Sequence, residues 1–288
     1  MNYLAESTRD IKRRIRGITN IKQITNAMEL VASAKLKRAR EKLERTRPYY
    51  NTVLESIQET LASTGNINHP LLQVRDVEKS LYIVLTGDKG LAGGYNSNVL
   101  RLVENEIKER KDEVKLITIG SKGGEFYKRR GYEIVEEFTG ISEEPSFSDA
   151  VKVTRIALEL YKKEEIDEII IAYTTFYSPI SQEAKLLKLL PHEDTRAESE
   201  EKTNIIEYEP SPEEVLDYLI PKYIESTIYG ALIESSSSEQ GARRTAMGSA
   251  TDNAEEMIDD LQLSYNRARQ AAITVEISEI VAGAEALK

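Results

Sequence analysis

The chain of 288 residues contains no cysteine, which excludes disulfides, thiol nucleophiles and zinc-thiolate sites outright. Its 2 histidines, His69 and His192, lie far apart, each beside a proline. Both read as ordinary loop residues, and a paired-histidine metal centre is not expected. No stretch approaches about 18 consecutive apolar residues, so no membrane-crossing helix is expected. The opening "MNYLAESTRDIKRRIRG" lacks the apolar core of a signal peptide, and its acids do not suit a transit peptide. The expectation is a chain that is cytosolic, or peripheral to a membrane from the cytosolic side. Proline is confined: all 8 lie between Pro48 and Pro221, which leaves 47 residues at the start and 67 at the end without one. Those ends lack the residue most disruptive to a helix interior.

What is present is charge, unevenly spread. Composition is 40% apolar and 31% charged, with a net charge of -10, and suits a soluble protein with a strongly charged surface. Residues 1–47 carry 13 Lys+Arg against 5 Asp+Glu, or +8, while residues 211–288 carry 6 against 14, or -8. Segments of equal and opposite charge invite each other. A basic arm alone also fits nucleic acid or acidic lipid, and composition leaves that reading open.

Both ends read as long helices. Ile11, Ile15, Ile18, Ile21, Ile24, Met28 and Val31 recur at steps of three or four, and Leu43, Tyr50, Val53, Ile57 and Leu61 resume the pattern, predicting one apolar stripe along residues 1–62. Such a helix would be roughly 90 Å long. The second, from 211 to the end, opens on "SPEE": Ser211 can cap, Pro212 suits the first helical position, and Glu213 and Glu214 favour the positive helix end. At roughly 110 Å it is also too long to stand alone. The two are expected to pair as an antiparallel coiled coil. Ala242, Ala246, Ala250 and Ala254 repeat every four residues, as where helix backbones approach closely. A solvated, frayed helix is the alternative, since Gly230, Gly241 and Gly248 each cost about 1 kcal/mol relative to Ala. The run Ser235 to Ser238 reads as a solvated helix face.

Between the arms, residues 75–210 alternate. "SLYIVLTG", "VKLITIG", "YEIVEEF" and "DEIIIAYTTF" read as strands, separated by amphipathic helices in "SNVLRLVENEIKER", "SKGGEFYKRR" and "SDAVKVTRIALELYKK". "EAKLLKLLP" and "TNIIEYEP" look like further strands. That succession predicts an α/β class: a central, largely parallel, Rossmann-like domain flanked by the two long helices.

The turn "TGDKGLAGGYN" follows the first strand and precedes a helix, the usual setting for a phosphate cradle. Its Gly87, Gly90, Gly93 and Gly94 give neither G-x-G-x-x-G nor a P-loop, and Lys89 is the only nearby cation. A tight, exposed strand-to-helix turn is the favoured reading and nucleotide binding the alternative. No nucleophile motif or metal-ligand spacing accompanies it. No cofactor is expected, and nothing in the residues reads as an enzyme.

Three segments carry a resemblance. "IKRRIRGITNIKQITNAMELVASAKLKRA", "GDKGLAGGYNSNV" and "TAMGSATDNAEEMIDDLQLSYNRARQAAITVEISEIVAGAEAL" together resemble the gamma-subunit family of F-type ATP synthases, bacterial type, in order along the whole chain. The resemblance implies a non-catalytic rotor at the cytoplasmic face of a bacterial membrane. Its coil would stand inside the alpha3-beta3 hexamer, and its base would sit with the epsilon subunit on the membrane c-ring. ATP would be bound by the other subunits, with no cofactor or nucleic acid on this chain. It further implies that Met28, Arg269 and Gln270 face the beta subunits, that Arg243 matters for coupling, and that the turn bearing Lys89, Gly90, Gly93 and Gly94 lies near them. A nucleotide-binding enzyme and a nucleic-acid-binding coiled coil are the rival readings.

Overall fold

The computed structural model describes residues 8–64, 71, 75–191 and 211–286. The strand expected in "TNIIEYEP", both histidines, and the side chains of Tyr50, Ile57 and Leu61 lie outside the described residues.

The residues of "SLYIVL" are buried on both faces, as a central parallel strand requires. They form β1 (Ser80–Leu85), followed by β2 (Val114–Ile119), β3 (Glu133–Phe138), β4 (Glu168–Phe176) and β5 (Gln182–Leu190). The sheet order is β3-β2-β1-β4-β5. β1 to β4 pair in parallel, and β5 runs antiparallel along β4. Between them lie α2 (Tyr95–Ile107), α3 (Ser121–Arg130) and α4 (Phe147–Lys162). α4 starts where the Asp149 carboxylate accepts the Ser146 N–H at 3.0 Å, and α3 stops at Gly131 in a left-handed cap; both follow ordinary capping chemistry.

The long helices are α1 (Thr8–Thr64, 57 residues) and α5 (Pro212–Ala286, 75 residues). Pro48 lies inside the first and Pro221 inside the second. Ser211 caps α5, its Oγ accepting the Glu214 N–H at 3.2 Å.

The strands' two-residue period sorts the core into two layers. Leu81, Ile83 and Leu85 of β1 face α4, the start of α5 and Val53 of α1. Tyr82 and Val84 face the opposite way, onto α2 and α3. The chain divides into two units: Ala32–Arg243, which holds this sheet, and Met1–Val31 with Arg244–Lys288.

In the latter unit the helices run antiparallel. Lys22 Nζ lies 2.8 Å from Glu255 Oε1, the Thr251 hydroxyl donates to that of Thr25 at 2.7 Å, and a side chain at Gly248 would meet Glu29. The expected stripe of α1 needs correction here. Ile11 and Thr25 are buried, whereas Ile21, Ile24 and Val31 stay exposed. The seam steps through 11, 15, 18, 22, 25 and 29, a period of 3.5. It admits small or long polar residues because Gly248 and Thr251 bring the backbones close. Half of the apolar stripe therefore points away from α5.

The serine run is a second correction. Ser235 to Ser238 are buried, because α5 lies across the end of β4. Ser235 Oγ accepts the Thr174 N–H at 3.2 Å, and Ser238 Oγ donates to the Thr174 carbonyl at 3.0 Å. Ser236 donates to the Glu143 carbonyl at 2.9 Å. The small side chains let the helix approach, and their hydroxyls satisfy what it covers. A frayed helix is excluded there.

Candidate functional site

The glycine turn leaves β1 at the sheet's switch point, where strand order reverses between β1 and β4. Open α/β sheets bind ligands at that place. Here the first two amides of the turn are taken. Asn96 Oδ1 accepts the Gly87 N–H at 2.8 Å, and Ser142 Oγ accepts that of Asp88 at 3.2 Å. The Asp88 carboxylate sits on the N-terminus of α3, accepting from Ser121 N at 3.0 Å and also from Gly140 N at 2.9 Å. A carboxylate of the chain thus holds the place an anion would take.

α5 closes the turn from the other side. Glu239 is 0% exposed, and a Cβ on Gly87 would stand 2.8 Å from its Oε1, so a side chain there would have to displace that carboxylate. Arg243 Nη2 donates to Glu239 Oε1 at 2.6 Å and to the Gly90 carbonyl at 3.3 Å. Burial pushes the Glu239 carboxyl above its ordinary range, against the pull of Arg243. At the rim Glu143 bridges Lys35 of α1 at 2.6 Å and Lys89 of the turn at 3.0 Å; the Lys35 hydrogen bond leads in holding this carboxyl below its usual value. Asp88, Glu143 and Glu239 around the turn are matched by Lys35, Lys89 and Arg243, which leaves no net positive charge there to cradle a phosphate.

Of the residues singled out in the sequence, Lys89, Gly90, Gly93 and Gly94 are exposed on this turn, and Arg243 is buried beneath it. Leu91 stands between them, exposed and with φ of 62°. Met28 is half-buried on α1. Arg269 and Gln270 are exposed on α5, and neither side chain has an ion pair among the described residues. Beyond them, through Glu285, every residue of α5 is exposed, including Ile273, Val275, Ile277, Ile280 and Val281. With Ile21, Ile24, Leu30 and Val31 of α1, that is far more bare apolar surface than single scattered side chains explain. Sequence reading missed Asp88, Asn96, Glu143 and Glu239, whose partners lie distant in sequence. The one local signal was the row of small residues before Glu239.

No group of acidic, histidine or cysteine side chains among the described residues could hold a metal ion, and no described helix is long and apolar enough to cross a membrane.

Comparison with known proteins gives this surface a context. The family described as ATP synthase matches residues 7–287. The ATP synthase gamma chain of Alkaliphilus metalliredigens is 57% identical over 284 residues, covering 97% of this chain and 98% of that one. The chain belongs to the gamma-subunit family of F-type ATP synthases. A second gamma chain, from Acetobacterium woodii and named as sodium ion specific, is 52% identical, covering 99% of this chain and all of that one. Among solved structures, a chain of the Tetrahymena thermophila mitochondrial ATP synthase central stalk and c-ring shares 27% identity, with a TM-score of 0.62 over 79% of this chain and 99% of its own length. A chain of the Euglena gracilis enzyme, 20% identical with a TM-score of 0.73 over 97% and 94%, shows the same fold. For a gamma-family chain, a bare apolar helix end and a turn filled by its own side chains are consistent features.

Proposed function

We propose that the chain is the central shaft of an ATP synthase, itself non-catalytic, turning with a membrane c-ring and driving nucleotide sites on surrounding beta subunits through their affinity states. The observation that carries the reading is the end of α5, a helix end with no partner among the described residues and a run of exposed apolar side chains. An isolated helix is marginal in water, and this one is completed by a sleeve such as an alpha3-beta3 hexamer. Arg269 and Gln270 stand at its start, ready for a beta-subunit loop. Met28 is half-buried on α1, three and four residues from the exposed Val31 and Ile24.

A two-helix rod inside a threefold ring presents different faces to three equal neighbours. Moving a site from 1:99 to 99:1 takes about 5.5 kcal/mol of differential contact. At about 25 cal/mol per Å² that is roughly 220 Å² of apolar surface, within reach of a few of the exposed side chains. The unit bearing the sheet is read as the base, contacting the epsilon subunit and the c-ring at the cytoplasmic face of the membrane.

The test is to mix the chain with alpha and beta subunits, immobilise the hexamer and follow a bead fixed to this chain while ATP is hydrolysed. Stepwise rotation is expected. A complex that hydrolyses ATP at full rate with the chain static would overturn the reading, as would tight stoichiometric nucleotide binding to the chain alone.

A further inference from the structure

Among the described residues, Glu239 is the one carboxylate of α5 with no exposure at all, and nothing in the shaft reading uses it. Burying a charge is costly unless it is paired, and removing one partner of a buried pair leaves the other uncompensated. The partner is one helical turn on, where the Arg243 guanidinium is also almost fully buried. That pair does more than neutralise itself, because the same Arg243 Nη2 reaches the Gly90 carbonyl. Glu239 also fills the space directly against Gly87. The two residues therefore grip the turn at both ends of "GDKG". Between and beyond those points stand the groups that project outward, Lys89 and Leu91. Leu91 holds a left-handed φ of 62°, a conformation that costs energy in a non-glycine residue and persists where surroundings impose it.

We propose that Glu239 is a positioning residue for the rotor-stator contact: through Arg243 it ties the glycine turn to α5, so that Lys89 and Leu91 turn rigidly with the shaft. This rests on the shaft reading above. Without the tie, the turn would yield under load and part of each step would be lost as local deformation. Other groups facing the pair fit that role. Asp88, which bonds Ser121 N and Gly140 N, anchors the turn to α3 and to the loop after β3. Glu143, shared between Lys35 and Lys89, anchors it to α1. Glu239 and Arg243 supply the remaining connection, to α5. One atom of each, Glu239 Oε2 and Arg243 Nη1, has no hydrogen-bond partner among the described residues, so the grip depends on the single Nη2–Oε1 contact.

Three substitutions loosen the grip by different routes. Glu239→Gln removes the charge at constant size. Arg243→Lys keeps the charge but loses the planar fork that serves two acceptors at once. Gly87→Ala keeps both charged groups and drives a methyl into the Glu239 carboxylate. Each is assembled into the holoenzyme, and two quantities are read: ion uptake per ATP hydrolysed, and hydrogen exchange of the amides in residues 87–94. Each variant is expected to lower the coupling ratio about threefold while raising exchange in the turn about tenfold. The Glu239→Gln, Arg243→Lys double variant should lose no more than the worse single one, since both cut one tie. Unchanged coupling overturns the proposal. So does lost coupling with unchanged turn exchange, or exchange that rises evenly through the chain, the mark of general destabilisation. Failure of the unsubstituted chain to assemble or rotate overturns the shaft reading instead.

Discussion

Replacing Ile277 and Ile280 of α5 by serine separates what this chain needs to fold from what it needs to work. The two lie three residues apart on one helix face and are 57% and 66% exposed. Serine and isoleucine have nearly equal helix propensity, so the helix itself is not penalised. Neither side chain is part of a buried apolar cluster. The double substitution is therefore expected to change the unfolding free energy of the isolated chain by less than about 0.5 kcal/mol, as for an ordinary surface site. Assembly is different. A fully buried isoleucine is worth about 1.5–3 kcal/mol, and well over half of each side chain remains to be covered, which gives about 1–2 kcal/mol apiece. Losing both should weaken binding to an alpha-beta hexamer by about 2–4 kcal/mol, or roughly 30- to 700-fold. Urea unfolding of the chain alone and titration of the labelled chain into hexamer supply the two numbers. Equal losses in both assays, or an unchanged affinity, would refute the view that this helix end is completed by another subunit.

Three further outcomes follow from named contacts. Met28→Lys places a cation at a half-buried position of α1; reconstituted enzyme should hydrolyse ATP with impaired ion pumping, and unchanged coupling would count against Met28 as a stator-facing residue. Gly120 has φ of 88°, and a Cβ there would lie 2.1 Å from the Thr86 carbonyl oxygen; Gly120→Ala should cost about 3 kcal/mol or more from strain and overlap together, read by denaturant unfolding. Glu143 has a folded pKa held below its unfolded value by Lys35 first and Lys89 after it. Its stabilisation is present above the unfolded value of about 4.3 and is lost as pH falls through the folded one. Glu143→Gln should thus flatten the acid limb of a stability-pH curve, and an identical limb would show that the bridge is idle.

How much of this was legible depended on the range of the interactions involved. The strands could be read because burial on both faces leaves near-continuous apolar runs such as "SLYIVL", and the start of α5 because its cap is local to "SPEE". The face by which α1 meets α5 could not. Steps of three and four fit both the line through Ile21, Ile24 and Met28 and the line through Lys22, Thr25 and Glu29. What selects the second is the small surface of Gly248 and Thr251, more than 200 positions away in the sequence. The serine run misleads for the same reason. Thr174, the group its hydroxyls satisfy, is supplied by a strand 61 to 64 residues earlier, and polarity alone predicts exposure. Glu239 and Gly90 meet through an arginine 153 positions from the turn, and no local pattern encodes that meeting.

The fate of the sheet's ligand position shows why fold and function separate here. A doubly wound sheet offers a crevice at its switch point whatever the chain does. A bound nucleotide would need free amides and net positive potential in that crevice. This sequence instead sends α5 across it, with the Ser235 and Ser238 hydroxyls bonded to Thr174 of β4 and a carboxylate where the glycine turn comes closest. The residues that close the crevice also fasten the sheet to the long helix, since Ser235 and Ser238 bond to Thr174 of the strand and Arg243, held by Glu239, bonds to Gly90 of the turn. A sheet fastened in this way can pass torque to α5, whereas one kept open for a ligand would meet the helix through fewer bonds. The filled crevice and the rigid attachment are then one structural feature, made by the same residues.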